Sequence, residues 1–130
     1  MKLFYGVQGT GNGHITRARV MAKALKAANI DVQFQFTGRP SNQYFDMEIF
    51  GDYQTRNGLS FAVEKGHINY YQTVHDAHLG RVYQEVKELD LTPYDLVISD
   101  FEPITSWAAK RQKKPVLGLG HQYAFRFAGD

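Results

Sequence analysis

The sequence predicts a three-layer α/β domain on a mostly parallel sheet, and three observations carry that expectation. A strand, a helix and a second strand follow one another within Lys2–Thr37. The same order returns between Tyr94 and Leu119. A glycine-rich turn joins the first strand directly to the first helix. The chain of 130 residues is one domain's worth of sequence.

The elements read off in order. Lys2–Gln8 is apolar and aromatic, suits a buried strand, and runs straight into Gly9-Thr10-Gly11-Asn12-Gly13. From His14 the period becomes helical. Ala18, Met21, Ala22, Leu25 and Ala28 share a face, with Arg17, Arg19, Lys23 and Lys26 pointing away, and Asn29 ends the helix. Ile30–Thr37 alternates Ile30, Val32, Phe34 and Phe36 with polar residues and reads as a second strand, broken by Gly38-Arg39-Pro40. Strand, helix and strand at this spacing form a right-handed parallel crossover. Ser41–Phe50 suggests a short helix, and Tyr53–Arg56 and Leu59–Glu64 suggest strands around Asn57-Gly58. Helix resumes near Thr73, with Leu79, Val82, Tyr83, Val86 and Leu89 on one face, and stops before Pro93. Tyr94–Ser99 is a strong strand. Asp100-Phe101-Glu102-Pro103 turns the chain into a helix carrying Ile104, Trp107 and Ala108, with Pro103 in its first turn. Pro115–Leu119 is the next strand, and Gly120–Asp130 carries no helical pattern. A doubly wound sheet usually continues with a helix, so the expectation is a domain belonging to a longer enzyme.

Composition removes several classes of function. With no cysteine, a disulfide scaffold and any cysteine-ligated zinc or iron–sulfur site are excluded, which fits a reducing cytoplasm. No apolar run approaches the ~20 residues of a membrane-spanning helix. A net charge of +2 is too mild to argue for nucleic acid. Its distribution is uneven: residues 1–40 hold Lys2, Arg17, Arg19, Lys23, Lys26 and Arg39 against Asp31 alone among acids. Two readings stand, a surface for anionic lipid or a phosphorylated ligand and a solvated helix face.

The glycine loop is anion-binding architecture. Backbone N–H groups at a helix start are unpaired, the helix dipole is positive there, and glycines let a ligand approach. The dinucleotide fingerprint fits poorly. Its sixth position is His14, too bulky for close helix–strand packing, and the second strand ends in Thr37-Gly38-Arg39 without an acid for a ribose. Arg39 would suit a 2′-phosphate, so an NADP- or other nucleotide-binding domain stays as the alternative. A P-loop is excluded, since no Gly-Lys-Ser/Thr follows.

Gly9-Thr10-Gly11-Asn12-Gly13-His14 resembles the first loop of GT-B glycosyltransferases, in particular the Gly-Gly-Thr-Gly-Gly-His loop of the bacterial N-acetylglucosaminyltransferases that make the lipid-linked peptidoglycan precursor. It is closer still to a group of bacterial and archaeal glycosyltransferase-like proteins, which share a helix like Ile15-Thr16-Arg17-Ala18-Arg19, a stretch like Val97–Pro103 and a later pair like His121-Gln122. The motifs lie in the same order and touch most of the chain. Gln8 and Asn12 depart from the loop, standing where the lipid-intermediate enzymes have glycine. That makes the loop stiffer, or offers an amide to the ligand. The resemblance implies a Rossmann-like α/β/α domain, the N-terminal, acceptor-side half of an enzyme whose C-terminal domain binds the nucleotide-sugar donor. It implies sugar transfer to an acceptor, a lipid or phosphorylated carrier among the candidates, with no cofactor beyond the donor. It also implies a cytoplasmic place with room for peripheral contact at the inner membrane face. A non-catalytic subunit of a split glycosyltransferase is a second alternative.

The candidate site residues follow. His14, at the helix start, suits a general base that takes the acceptor hydroxyl's proton, or a ligand contact, or a cap. The loop residues Gly9, Thr10, Gly11, Asn12 and Gly13 are expected to meet an acceptor or its phosphate. Asp100 and Glu102 follow a buried strand, at the carboxyl edge where α/β ligands bind; helix capping is the competing role. Their spacing is similar to the Asp-x-Asp metal motif of GT-A transferases, which needs a larger domain and leaves the glycine loop unexplained, so no catalytic metal is expected. His121 and Gln122, beyond the last strand at the same edge, are expected to reach an acceptor or the partner domain, with a loop turn as the competing role. His75 and His78, one helical turn apart, lack a third metal ligand. The middle aromatics, Tyr44, Phe45, Phe50, Tyr53, Phe61, Tyr70 and Tyr71, are expected to be mostly core, with a few left for an apolar acceptor.

Overall fold

The computed structural model describes residues 1–10, 12–58, 63–64, 67–68 and 79–119. In chain order these give β1 (Lys2–Gln8), α1 (Asn12–Ala27), β2 (Asp31–Thr37), two single-turn 3₁₀ helices (Ser41–Gln43 and Glu48–Phe50) and β3 (Gln54–Arg56). There follow the short pair β4 (Val63–Glu64) and β5 (His67–Ile68), then α2 (Leu79–Glu88), β6 (Leu96–Asp100), α3 (Pro103–Arg111) and β7 (Val116–Leu119). Five strands form one parallel sheet in the order β3-β2-β1-β6-β7. β4 and β5 pair antiparallel by themselves.

β1 is central because both its faces are apolar, as a strand covered by helices on both sides must be. Leu3, Tyr5 and Val7 pack under α1 with Ile15, Ala18, Ala22, Phe34, Phe36 and Ile98. Phe4 faces the other way, into the layer of α2 and α3 with Val82, Val86, Leu89, Ile104 and Ala108. α1 ends as expected. Asn29 takes a left-handed φ of 58°, and the Ile30 amide donates back to the Leu25 carbonyl at 3.0 Å.

Some expectations are corrected. Ser41–Phe50 holds two 3₁₀ turns rather than one helix, because Asp46 sits at φ 55° and interrupts any continuous coil. Tyr44, Met47 and Phe50 are buried, and the second turn, closed by the Phe50 amide on the Met47 carbonyl at 3.0 Å, brings the last two to one side. Ala28 is exposed beyond the end of α1. Tyr83 and Trp107 stand 62% and 46% exposed instead of facing the core. On α2 the buried stripe is Val82, Val86 and Leu89, and Tyr83 lies one residue round from it. Part of the predicted strand Leu59–Glu64, the first turns of the helix near Thr73 with His75 and His78, the aromatics Phe61, Tyr70 and Tyr71, and Gly120–Asp130 lie outside the described residues.

The topology locates the site. From β1 the chain moves outward through β2 and β3, then crosses back to place β6 and β7 on the other side of β1. The strand order therefore reverses between β1 and β6. In open α/β sheets the crevice at the carboxyl ends of such a pair is where ligands bind.

Close packing at Gly6 holds α3 to this pair. A Cβ there would overlap Thr105 Oγ1, and Thr105 is fully buried, with its hydroxyl held by Glu102. A short β-branched side chain so placed has no room to swing away. Gly6→Ala is expected to destabilise the fold by about 1–3 kcal/mol, the usual cost of overpacking a core. Urea denaturation of the two proteins is the check, and equal midpoints would refute the packing argument.

Candidate active site

Two chain segments converge at this crevice. β1 ends at Gln8, and the chain passes through Gly9 and Thr10 into α1, whose early turns carry His14 and Arg17. Across β1, β6 pairs Val7 with Asp100. Strand alternation puts Asp100 on the same face as Ile98, beneath α1, where it is fully buried.

There the three side chains meet. His14 Nδ1 lies 2.7 Å from Asp100 Oδ1. Arg17 Nε donates to Asp100 Oδ2 at 2.7 Å and its Nη2 donates to Oδ1 at 2.5 Å. Arg17 thus grips both oxygens of the carboxylate, while His14 shares one of them. An ionised carboxylate only accepts hydrogen bonds, so Nδ1 carries a proton, and in the neutral ring the lone pair is on Nε2. The 3.2 Å separation of Arg17 Nη2 and His14 Nδ1 is then the approach of two donors to one oxygen. Nε2 has no hydrogen-bond partner among the described residues, and the His14 side chain is 30% exposed.

Burial pushes the Asp100 carboxyl up, but the hydrogen bonds and positive charge of His14 and Arg17 outweigh it and hold the group below the ordinary aspartate range. The same bonds raise Arg17. A carboxylate lowered in the fold stabilises the fold above its unfolded value and loses that contribution as pH falls through the folded one. Stability of the wild type should therefore fall more steeply than that of Asp100→Asn below about pH 4, the ordinary range for aspartate. Urea midpoints of both proteins across that range are the measurement; parallel curves would show that the carboxylate gains nothing from its partners.

The second acid has another task. Glu102 is fully buried and caps α3, accepting from the amides of Ile104 at 2.7 Å and Thr105 at 3.0 Å and from the Thr105 hydroxyl at 2.5 Å. Its burial pushes its carboxyl above the ordinary range, with those hydrogen bonds in partial offset. Between the two acids Phe101 adopts a φ of 54°. That left-handed turn sends Asp100 under α1 and Glu102 into the start of α3, and among the described residues the two carboxylates share no hydrogen-bond partner. Phe101 also stacks on the His14 ring, with centroids 5.8 Å apart at 28°.

The loop itself is pinned from behind. Gln8 is 1% exposed; its amide donates to Thr10 Oγ1 at 2.5 Å, and Thr37 Oγ1 donates to its carbonyl at 3.4 Å. The Gln8 amide is thus engaged within the fold, by Thr10 and Thr37. The Gly9 amide donates to the Thr37 carbonyl at 2.6 Å, and a Cβ on Gly9 would collide with the Tyr44 hydroxyl and ring. Thr10 is half-buried and Gly13 is exposed at the start of α1; Asn12 is described by its backbone, as the first residue of that helix. Gly11, His121 and Gln122 lie outside the described residues.

The expectation that Arg17 points away to solvent is corrected: its guanidinium turns back onto Asp100. A signal was present, since residues i and i+3 share a helix face and His14 precedes Arg17 by three. The basic excess of residues 1–40 is likewise partly consumed within the fold. Arg19 donates to the carbonyls of Phe45 and Asp46, Arg39 lies over the Tyr44 ring, and Lys2 lies over Tyr94. Among the described residues no three His, Cys, Asp or Glu side chains gather as metal ligands, and no helix is long and apolar enough to cross a membrane.

Comparison with known proteins adds to this geometry. A family model described as "Glycosyl transferase family 1" matches residues 1–128. No curated protein matches in sequence. The fold is similar to that of SsfS6, a glycosyltransferase of Streptomyces sp. SF2575, at 12% identity and a TM-score of 0.53, over 91% of this chain and 38% of that one. It is similar to MurG of Acinetobacter baumannii at 16% identity and a TM-score of 0.54, over 95% of this chain and 37% of that one. The C-terminal domain of the PF1911 hydrogenase from Pyrococcus furiosus shares the fold as well, at 14% identity and a TM-score of 0.57, over 90% of this chain and 89% of that domain. Likeness at these identities establishes the fold. The chain spans a little over a third of the length of SsfS6 and MurG.

Proposed function

The chain belongs to glycosyl transferase family 1, and from that premise we propose that it forms the acceptor side of a sugar-transfer site in which His14 is the general base. The observation that carries this reading is the 2.7 Å contact of His14 Nδ1 with the buried carboxylate of Asp100, at the carboxyl-end crevice between β1 and β6. Asp100 fixes the ring and its tautomer, which leaves the Nε2 lone pair for a substrate proton.

In the proposed step an acceptor hydroxyl donates its proton to Nε2 while its oxygen attacks the anomeric carbon of a nucleotide-sugar. The bond from that carbon to the nucleotide's phosphate oxygen breaks, and its electron pair leaves with the nucleotide. The imidazolium formed on His14 is stabilised by Asp100 through Nδ1–H. The nucleotide-sugar is a substrate, and the step needs no further cofactor or metal. In this reading the donor is held by a second, donor-binding domain, and the amides at the start of α1, near Gly13, would receive an anionic group of the acceptor. Such an acceptor, lipid-linked or phosphorylated, would bring the protein to the cytoplasmic face of a membrane as a peripheral visitor.

The test is transfer by a protein that joins this domain to a donor-binding domain, read as nucleotide release in the presence of alcohol acceptors. Release that depends on both the acceptor and His14 supports the assignment. Transfer that persists at full rate in His14→Ala removes it.

A further inference from the structure

We infer that Arg17 is a positioning residue that sets the pH range in which His14 can act as a base. This rests on the reading of His14 as that base. The argument starts from what a histidine and an aspartate do when nothing else joins them. A buried carboxylate beside an imidazole stabilises the imidazolium, and an imidazolium has no lone pair with which to take a proton. Orientation and activation then work against each other, because the group that aims the ring also charges it.

The geometry here separates the two tasks. Asp100 is fully buried and its carboxylate needs a permanent counter-ion. Arg17 supplies it with a two-point grip on both oxygens, from Nε at 2.7 Å and Nη2 at 2.5 Å. His14 retains its own 2.7 Å hydrogen bond to Oδ1, which is enough to hold the ring. A guanidinium 3.2 Å from Nδ1 opposes a second positive charge on the same ring. The aspartate thus keeps its orienting role while much of its charge is spent on the arginine. The fork is chemically specific, since lysine brings the charge without the planar pair of donors.

Few other groups bear on this trio. Tyr5, on β1, lies within electrostatic reach of Asp100 and Arg17, and burial followed by the Asp100 charge pushes its phenol well above its ordinary range, so it stays neutral. Phe101 covers the ring without charge. Asp100 and Arg17 are the charged side chains that meet the His14 ring at Nδ1.

The experiment is an NMR titration of the full chain with labelled histidine, from about pH 5 to about pH 9, the window in which imidazole titrates. The His14 signals are assigned by their loss in His14→Asn. In Arg17→Gln the His14 midpoint should move up by about one pH unit or more, the scale on which one neighbouring charge acts. Arg17→Lys, which keeps the charge without the fork, should show only part of that upward shift. Where Arg17→Gln does not fold, because Asp100 is left buried and unpaired, the comparison is Asp100→Asn against the double variant Arg17→Gln/Asp100→Asn. The double variant should then titrate at the higher pH. An unchanged midpoint in whichever pair folds overturns the inference. The titration needs no transfer activity, so a failure of the sugar-transfer reading in His14→Ala is recorded separately from a failure here.

Discussion

Replacing His14 by alanine, in a protein that pairs this domain with a donor-binding domain, should lower kcat by about 10²–10⁴-fold, the usual worth of a positioned general base. The reason lies in the placement of the ring. Its Nδ1 is committed to Asp100 and its Nε2 lies unengaged among the described residues at the crevice between β1 and β6. Alanine leaves the acceptor hydroxyl with only water to take its proton. KM for the donor should barely move, because the proposed donor site belongs to the other domain. A rise in acceptor KM with kcat preserved at saturation would instead make His14 a binding contact. Steady-state kinetics with each substrate varied in turn separates these outcomes, and both constants near wild type would remove His14 from the site.

The second large effect is expected at Asp100. Asp100→Asn keeps the shape but replaces an acceptor oxygen with an N–H₂ group. In the wild type both oxygens receive donors, His14 Nδ1 and Arg17 Nη2 at Oδ1 and Arg17 Nε at Oδ2. Whichever way the amide is turned, its N–H₂ meets an N–H of one partner. If it faces His14, the ring is driven to the opposite tautomer, with the proton on Nε2 and no lone pair for the acceptor. If it faces Arg17 Nε, the fork is broken and the neutral amide no longer stabilises the imidazolium formed during transfer. kcat should therefore fall by about 10²–10⁴-fold, as wrong-tautomer variants of histidine–aspartate pairs do. Donor KM should again be unchanged. Full activity in a folded Asp100→Asn protein would show that the carboxylate only holds α1 to the sheet.

Glu102, two residues on, offers the contrast. It was equally eligible in the sequence, as an acid at the carboxyl end of a buried strand. The backbone decided between the two, since Phe101 at φ 54° directs them to opposite sides of the sheet. One came to lie beneath α1 against His14 and Arg17, and the other became a helix cap. Nothing in Asp-Phe-Glu-Pro announces which, because left-handed φ at a phenylalanine is uncommon and is imposed by packing. Likewise Arg17 read as solvated from its place on the polar side of α1. Only the approach of β6 to β1 brought a buried carboxylate within its reach.

The sequence by itself determined the layer architecture, the order of the elements and the edge of the sheet at which the glycine loop lies. Those follow from local patterns: continuous apolar runs for strands buried on both faces, helical spacing for the layers over them, and a glycine turn between the first strand and helix. The tertiary structure decided which polar residues meet. His14 and Asp100 lie 86 positions apart, and their contact depends on β6 pairing in parallel beside β1 rather than beside β3. Strand order is set by the summed burial of two helical layers, a long-range property that no window of sequence contains, and with it came the pairing of His14 with the carboxylate of Asp100.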